Sequence, residues 1–474
     1  MGSGPIIMFL DCVPMGSGRE HSVFLPIPFP SEEKPFDGMP SWKVALSVFL
    51  ALLFYLHLHA LIEHFQTEQC PSLPLHSSNA SSLEPDSILL YRAYYDNRTG
   101  PGRIRILAVS KCLREDVDLR LMVDSFPSPS LPLLPSPVEG QCPWHWAADC
   151  AWNAFFLESQ SIDTKPDIVH LQLGPRRTSL PVHPLPPSRE TLQVCVPPLY
   201  WYDDWPRLIL FLELWKGHSV DKFIVYVNSV SERVLEVLSR YEREGLVEVV
   251  QWPLLPKLAH EDPNSSVYRL SHSLAHNDCV LRSSARFVTL VDVDEYIHSM
   301  YEPPLSAPPP VRSLPLFSLI NSSLSHPSAG SFKFEHIGLK TSSPLDESFS
   351  ALDRVSAHRV EGPKKTVFLP SRVLRLSTHE VNMHVPPFTG IDIPLREGFL
   401  LHNRISFGSK KEGRRVKMGK RPPAYTGVVS HAMSVCMSSW RSDGCKVPMT
   451  RCYDSLIPLE NWTFAPPSPG YSIL

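Results

Sequence analysis

Between Thr191 and Val291 the chain alternates strand-like and helix-like runs, which restricts this region to a parallel sheet crossed by helices on both faces. Leu192–Val196 reads as the first strand. Asp203 or Asp204 can cap a helix beginning at Trp205 and Pro206, with proline at the favoured first position. Leu208, Leu212 and Trp215 recur at helical spacing, and Gly217 can end the helix. Lys222–Val227 is the second strand. Ser231 caps a helix over Glu232–Glu244, Gly245 stops it, and Val247–Gln251 is the third strand. A longer helix is expected over about Ser266–Ser283, with Val267, Leu270, Leu274 and Leu281 as its apolar stripe. Phe287–Val291 is the fourth strand. Sheets of this class bind ligands beyond the carboxyl ends of their strands, and the fourth strand runs straight into Asp292-Val293-Asp294-Glu295.

Two aspartates flanking one residue, just past a strand end, can converge on a divalent cation. Hard oxygen ligands suit Mn²⁺ or Mg²⁺, and these ions suit a diphosphate whose charge must be neutralised as a bond to it breaks. An Asp-x-Asp triplet alone is common by chance, and a capped turn with solvated acids is the plain alternative. A haloacid-dehalogenase type of phosphatase also uses Asp-x-Asp after a strand, but it expects Thr or Val two residues on, near the start of its domain. Here that position is Tyr296, and three strands come first.

The 474 residues exceed one average domain. Val44–Ile62 is free of Asp, Glu, Lys and Arg over 19 residues, about what a hydrocarbon core of ~30 Å requires. Arg19, Lys34 and Lys43 precede it, and no Lys or Arg follows until Arg92, so the short N-terminus is expected in the cytosol and the rest in the lumen. All five Asn-x-Ser/Thr sequons, at Asn79, Asn97, Asn264, Asn321 and Asn461, lie after the span. So do nine of the ten cysteines, in a compartment where disulfides persist. Cys142 with Cys150, and two of Cys436, Cys445 and Cys452, are candidates for local pairing, and an odd number leaves one over.

The expected organisation is a cytosolic tail at 1–43, a signal-anchor at 44–62 and a polar stem at 63–87. A β-rich module follows at 88–187, then a catalytic domain at 190–425 and a cysteine-containing tail at 426–474. Proline, 49 of the 474 residues, clusters in Pro127–Pro137, Pro181–Pro187, Pro303–Pro315 and Pro466–Pro469, which read as loops. The net charge of −3 shows no basic bias. Lys364-Lys365 and Lys410–Arg415 are basic but lack aromatic interleaving, so no nucleic-acid partner is expected.

Several runs resemble glycosyltransferase family 92. These are Val194 to Tyr200, Trp205, Glu213-Leu214, Val220 to Tyr226, Asn277-Asp278-Cys279, Asp292 to Tyr296, Lys365 to Pro370 and His402-Asn403-Arg404. The family has His-Tyr-Arg where this chain has His402-Asn403-Arg404. The resemblance implies an α/β GT-A fold and inverting, metal-dependent transfer of galactose from UDP-galactose, in β1,4 linkage to galactose or fucose of a glycoprotein glycan. Asp292 and Asp294 would bind Mn²⁺ and the donor phosphates, with His402, or else His379, as a further metal ligand. Pro197, Leu199 and Tyr200 would contact the nucleoside. Glu335, ending an alternating run, is the candidate base, with Asp346, Glu347, Glu361 and Glu380 as competitors. The expected partners are UDP-galactose, a glycan acceptor, the Golgi membrane through one helix and, for assembly, a second copy as a homodimer. A catalytically silent, lectin-like or assembly subunit is the alternative, and the intact acids argue against it.

Overall fold

A computed structural model describes residues 87–474, apart from 114–116, 124–129, 145–146, 148, 302–314, 342–344, 347, 354, 360–361, 404–428, 430–431, 434, 437–444, 446–451 and 468–469. The expected anchor at 44–62, nearly all of the stem, Glu347, Glu361 and the basic run 410–415 lie outside the described residues. No described helix is long and apolar enough to cross a membrane.

Leu83–Leu474 forms one compact unit. Its N-terminal part holds seven strands: β1 (Leu89–Asp96), β2 (Arg103–Ser110), β3 (Leu119–Val123), β4 (Ser130–Pro137), β5 (Asn153–Ser161), β6 (Ile168–Leu173) and β7 (Arg176–Pro184). They pair in the order β2-β5-β4-β3-β6-β7-β1, and β1 pairs back onto β2, so the sheet closes into a barrel. Apolar side chains fill it: Leu90, Ile104, Ile106, Leu121, Phe155 and Leu171 are fully buried in one cluster. Parts of two proline-rich stretches read as loops are strand instead: 130–137 form β4, and 181–184 end β7. In β4, Leu133 is buried and both edges are paired, and this packing outweighs the amide donors lost at Pro132, Pro135 and Pro137.

The second part is built on β8 (Arg189–Leu199), β9 (Val220–Val227), β11 (Val247–Gln251) and β12 (Ala285–Leu290), which are parallel in the order β11-β9-β8-β12. The strip β10 (Ser229–Ser231) lies between β9 and β11 in sequence. The expected alternation is met by α1 (Trp205–Lys216), capped by Asp204 with proline at its start, and α2 (Glu232–Arg243), capped by Ser231. The sheet is not purely parallel. Beyond β12 it continues through β17 (Lys365–Phe368), antiparallel to β12, then β14 (Ala329–Phe334) and β20 (Thr389–Asp392). A second, four-stranded sheet joins β13 (Glu295–Ser299), β21 (Gly398–Asn403), β15 (His336–Thr341) and β16 (Val355–Arg359).

The third helix differs from expectation. Only α3 (His272–Arg282) is helical, because Arg269, Leu270 and Ser271 take left-handed φ values of 43°, 54° and 56°. Each such residue costs about 1–2 kcal/mol, held here by burial of Tyr268 and Leu270.

Four disulfides occur among the described residues: Cys112–Cys142, Cys150–Cys445, Cys195–Cys279 and Cys436–Cys452. Cys142 therefore does not pair with Cys150, whereas two of the three C-terminal cysteines do pair. Cys195 on β8 ties the sheet to α3 across 84 residues. Replacing Cys195 and Cys279 by alanine is expected to cost about 2–4 kcal/mol in chemical denaturation, chiefly by freeing the unfolded chain. The C-terminal segment returns to the barrel: β23 (Ser472–Ile473) pairs with β1.

Candidate active site

The two sheets meet at the turn Asp292–Glu295. Glu295 donates its N–H to Asp292 O at 3.0 Å, and its Oε2 accepts the Asp292 N–H at 2.9 Å. This closes the turn, and Glu295 then opens β13, directly opposite His402 of β21. The carboxylates thus stand past the carboxyl end of β12, as the alternation predicts.

Their partners set their chemistry. Lys365, at the head of β17 and 6% exposed, places Nζ 3.0 Å from Glu295 Oε2 and 3.3 Å from Asp292 Oδ2. Burial opposes the charge of Lys365, but the two acids raise its pKa above that of an ordinary lysine. Burial likewise opposes ionisation of Asp292, and Lys365 with Arg269 overcomes it, holding this carboxyl below the usual range. Glu295 is 4% exposed. Burial, with Asp292 and Asp294 beside it, pushes its carboxyl up to about 7 against the pull of Lys365 and His402. On the other side, His402 Nε2 lies 3.2 Å from Asp294 Oδ2, and His402 Nδ1 lies 2.9 Å from His336 Nε2. Gly362 leaves room for that second ring, since a Cβ there would overlap His336.

Of the expected ligands, Asp294 and His402 are brought together, and their oxygen and imidazole donors fit Mn²⁺. Asp292 is turned to Lys365 instead. Among the described residues no group of three or more His, Cys, Asp or Glu side chains is gathered as a metal site.

The other expected residues lie as follows. Pro197 and Leu199 fall within β8 rather than beyond it, and Leu199 packs in the core with Leu208 and Val227. Tyr200 leaves the strand beside Arg269, and it is the largest of the influences raising the Arg269 pKa, with Asp292 a further one. The left-handed turn thus carries a cation within electrostatic reach of both Tyr200 and Asp292. Glu335 joins β14 to β15, and its carbonyl accepts the Leu400 N–H at 2.7 Å. Asp346 is fully exposed. His379 lies within reach of the charges of Lys365, Asp292 and Arg269. Lys365, Arg269 and His336 were not assigned roles from sequence. A lysine heading an apolar strand, Lys365-Thr366-Val367-Phe368, signals a buried acidic partner, but nothing in sequence marks a left-handed turn without glycine.

Beside these groups opens a cavity of about 870 Å³, reached by His379, Glu380 and Thr366. Asp204 caps α1 and accepts from Arg207 Nε at 2.8 Å, and Arg207 Nη1 donates to Asn403 O at 2.7 Å, which anchors the strand end after His402. Asp203 next to it is buried, and its Oδ2 has no hydrogen-bond partner among the described residues. Burial first, then Asp204 and Glu460, push its carboxyl up to about 7. An unfolded aspartate titrates near ~3.9, so Asp203 favours folding most at low pH, and that contribution is lost as pH rises through about 7. Asp203→Asn is expected to flatten the fall in stability between pH 5 and pH 8, by on the order of 2 kcal/mol in urea titrations.

Residues 190–421 match the family model described as glycosyltransferase family 92. A Caenorhabditis elegans glycosyltransferase family 92 protein is 25% identical over 263 residues, which cover 53% of this chain and 51% of that one. A second from the same organism is 29% identical over 110 residues, covering 22% of this chain and 21% of the relative. The chain thus aligns with about half the length of the first of these relatives and less of the second. A likeness to the crystal structure of S. aureus TarS 1-349, at 13% identity and a TM-score of 0.21, covers 31% of this chain and 36% of that one and carries no argument.

Proposed function

Because this chain belongs to glycosyltransferase family 92, we propose that it is an inverting, metal-dependent galactosyltransferase with a GT-A type donor domain. Its donor is UDP-galactose, and its acceptor is galactose or fucose of a glycoprotein N-glycan, joined in β1,4 linkage. The observation that supports the donor site is the Asp292–Glu295 turn past the end of a parallel strand, with Lys365 and His402 packed into it. The four disulfides favour a lumenal catalytic part, with residues 44–62 as the Golgi membrane anchor.

In the reaction, the acceptor hydroxyl oxygen forms a bond to C1 of galactose as the bond from C1 to the diphosphate oxygen breaks. The electron pair leaves with UDP, and the hydroxyl proton passes to a carboxylate. Asp294 and His402 are the residues that would hold Mn²⁺, which when bound would supply positive charge against the leaving diphosphate. Lys365 fixes the direction of Asp292, and Arg269 adds positive potential on the same side. Tyr200, beside Arg269, would stack on the uracil. Glu335 is the proposed proton acceptor.

The test is incorporation of labelled galactose from UDP-galactose into N-glycans ending in galactose or fucose, with the product linkage read by NMR. A β1,4-linked galactose is expected. An α-linked product would overturn inversion, and transfer of a different sugar would overturn the donor.

A further inference from the structure

We propose that the cavity between the barrel and the catalytic sheet is the acceptor-saccharide site, and that the barrel forms one wall of it. The proposal rests on the transferase reading for its role in the reaction, but its chemistry stands on the cavity alone. The β-rich module then selects the acceptor instead of serving as a scaffold.

The cavity, about 870 Å³, has walls from both parts of the molecule. Glu139, Gln141 and Trp144 come from the barrel side, and Thr366, Thr378 and Asn382 from the catalytic side. The two walls are fastened to each other. Asn382 Nδ2 donates to Val138 O at 3.1 Å, Thr378 Oγ1 donates to Glu139 Oε1 at 3.3 Å, and Arg375 Nη1 donates to Pro137 O at 3.0 Å. The site is therefore set before a ligand arrives, which lowers the cost of ordering it.

Position and chemistry both point to a neutral sugar. His379 lines the cavity and feels the charges of Lys365, Asp292 and Arg269, so the cavity abuts the proposed donor site. Carboxylates and amides accept and donate to ring hydroxyls. Trp144 and Tyr268, edge to face at 5.7 Å, give an apolar surface for the C–H face of a ring. Two lysines line the cavity, and both act on Asp392: Lys364 pairs with it at 2.7 Å, and Lys333 lies within reach of the same carboxylate.

The lining carries polar side chains open to a ligand. Gln141 is exposed on the barrel side, and Asn382 and Glu380 are exposed on the catalytic side.

The test measures binding of a biantennary N-glycan ending in galactose to the full chain and to its Gln141→Ala and Glu139→Gln variants. Gln141 is exposed on the cavity wall, so Gln141→Ala is expected to keep the wild-type Tm. Its glycan affinity is expected to fall about tenfold, with Glu139→Gln also weakening it. Wild-type affinity in both Gln141→Ala and Glu139→Gln, or no glycan binding by the wild type, would overturn the proposal. UDP-galactose hydrolysis by the wild type is followed in parallel. Its absence alongside variant-sensitive glycan binding would overturn the transferase reading and leave the saccharide site standing.

Discussion

Asp294→Asn is expected to lower metal-dependent UDP-galactose turnover by about 10²–10³-fold while leaving the Tm within about 2 °C of the wild type. The side chain is 20% exposed, and its Oδ2 faces His402 Nε2 at 3.2 Å. Asparagine keeps the shape and can keep a contact to the imidazole, so little folding energy is lost. What disappears is the negative charge that an oxygen ligand must bring to a divalent cation. Steady-state kinetics over a Mn²⁺ titration check this. A variant of full activity would move the metal site elsewhere.

Lys365→Met is expected to be the most destabilising single change at the site. Lys365 and Glu295 are 6% and 4% exposed, and one ammonium serves two carboxylates. Methionine fills the space of the stem but leaves a buried acid without its cation. Breaking such a pair from one side costs about 3–5 kcal/mol, and the Tm is expected to fall by roughly 6 °C or more. Adding Glu295→Gln removes the acid left without its cation, so the double variant is expected to recover part of the loss. Denaturant midpoints for the two single variants and the double variant measure the coupling. Additive losses would show that Lys365 acts through packing rather than charge.

The parallel core was legible because local signals agree with the tertiary fold. Asp204 and Pro206 start α1 where capping rules place them, Ser231 starts α2, and Val247–Gln251 is a strand with the expected limits. The position of Asp292 and Asp294 followed from that register. Other features were not legible, because long-range packing overrides local preference. The left-handed turn at Arg269–Ser271 interrupts a helical stripe. The prolines of β4 sit in a strand paired on both sides. Cys195 pairs with Cys279 across a strand and a helix, a proximity that only the folded sheet creates. The barrel's role was likewise hidden, since Glu139 and Trp144 meet the cavity only after the chain closes on itself. Lys365 was read within a basic pair, and its burial between two acids depends on β17 lying antiparallel to β12.

The role proposed for the Asp292–Glu295 turn is to hold a metal-bound nucleotide diphosphate. Calorimetric titration of UDP, with and without Mn²⁺, into the wild type and Asp294→Asn tests it most directly. The expected result is binding strengthened at least tenfold by Mn²⁺ in the wild type, about 1.4 kcal/mol, with that gain lost in Asp294→Asn. Equal UDP affinity with and without Mn²⁺ in the wild type, unchanged by Asp294→Asn, would contradict it.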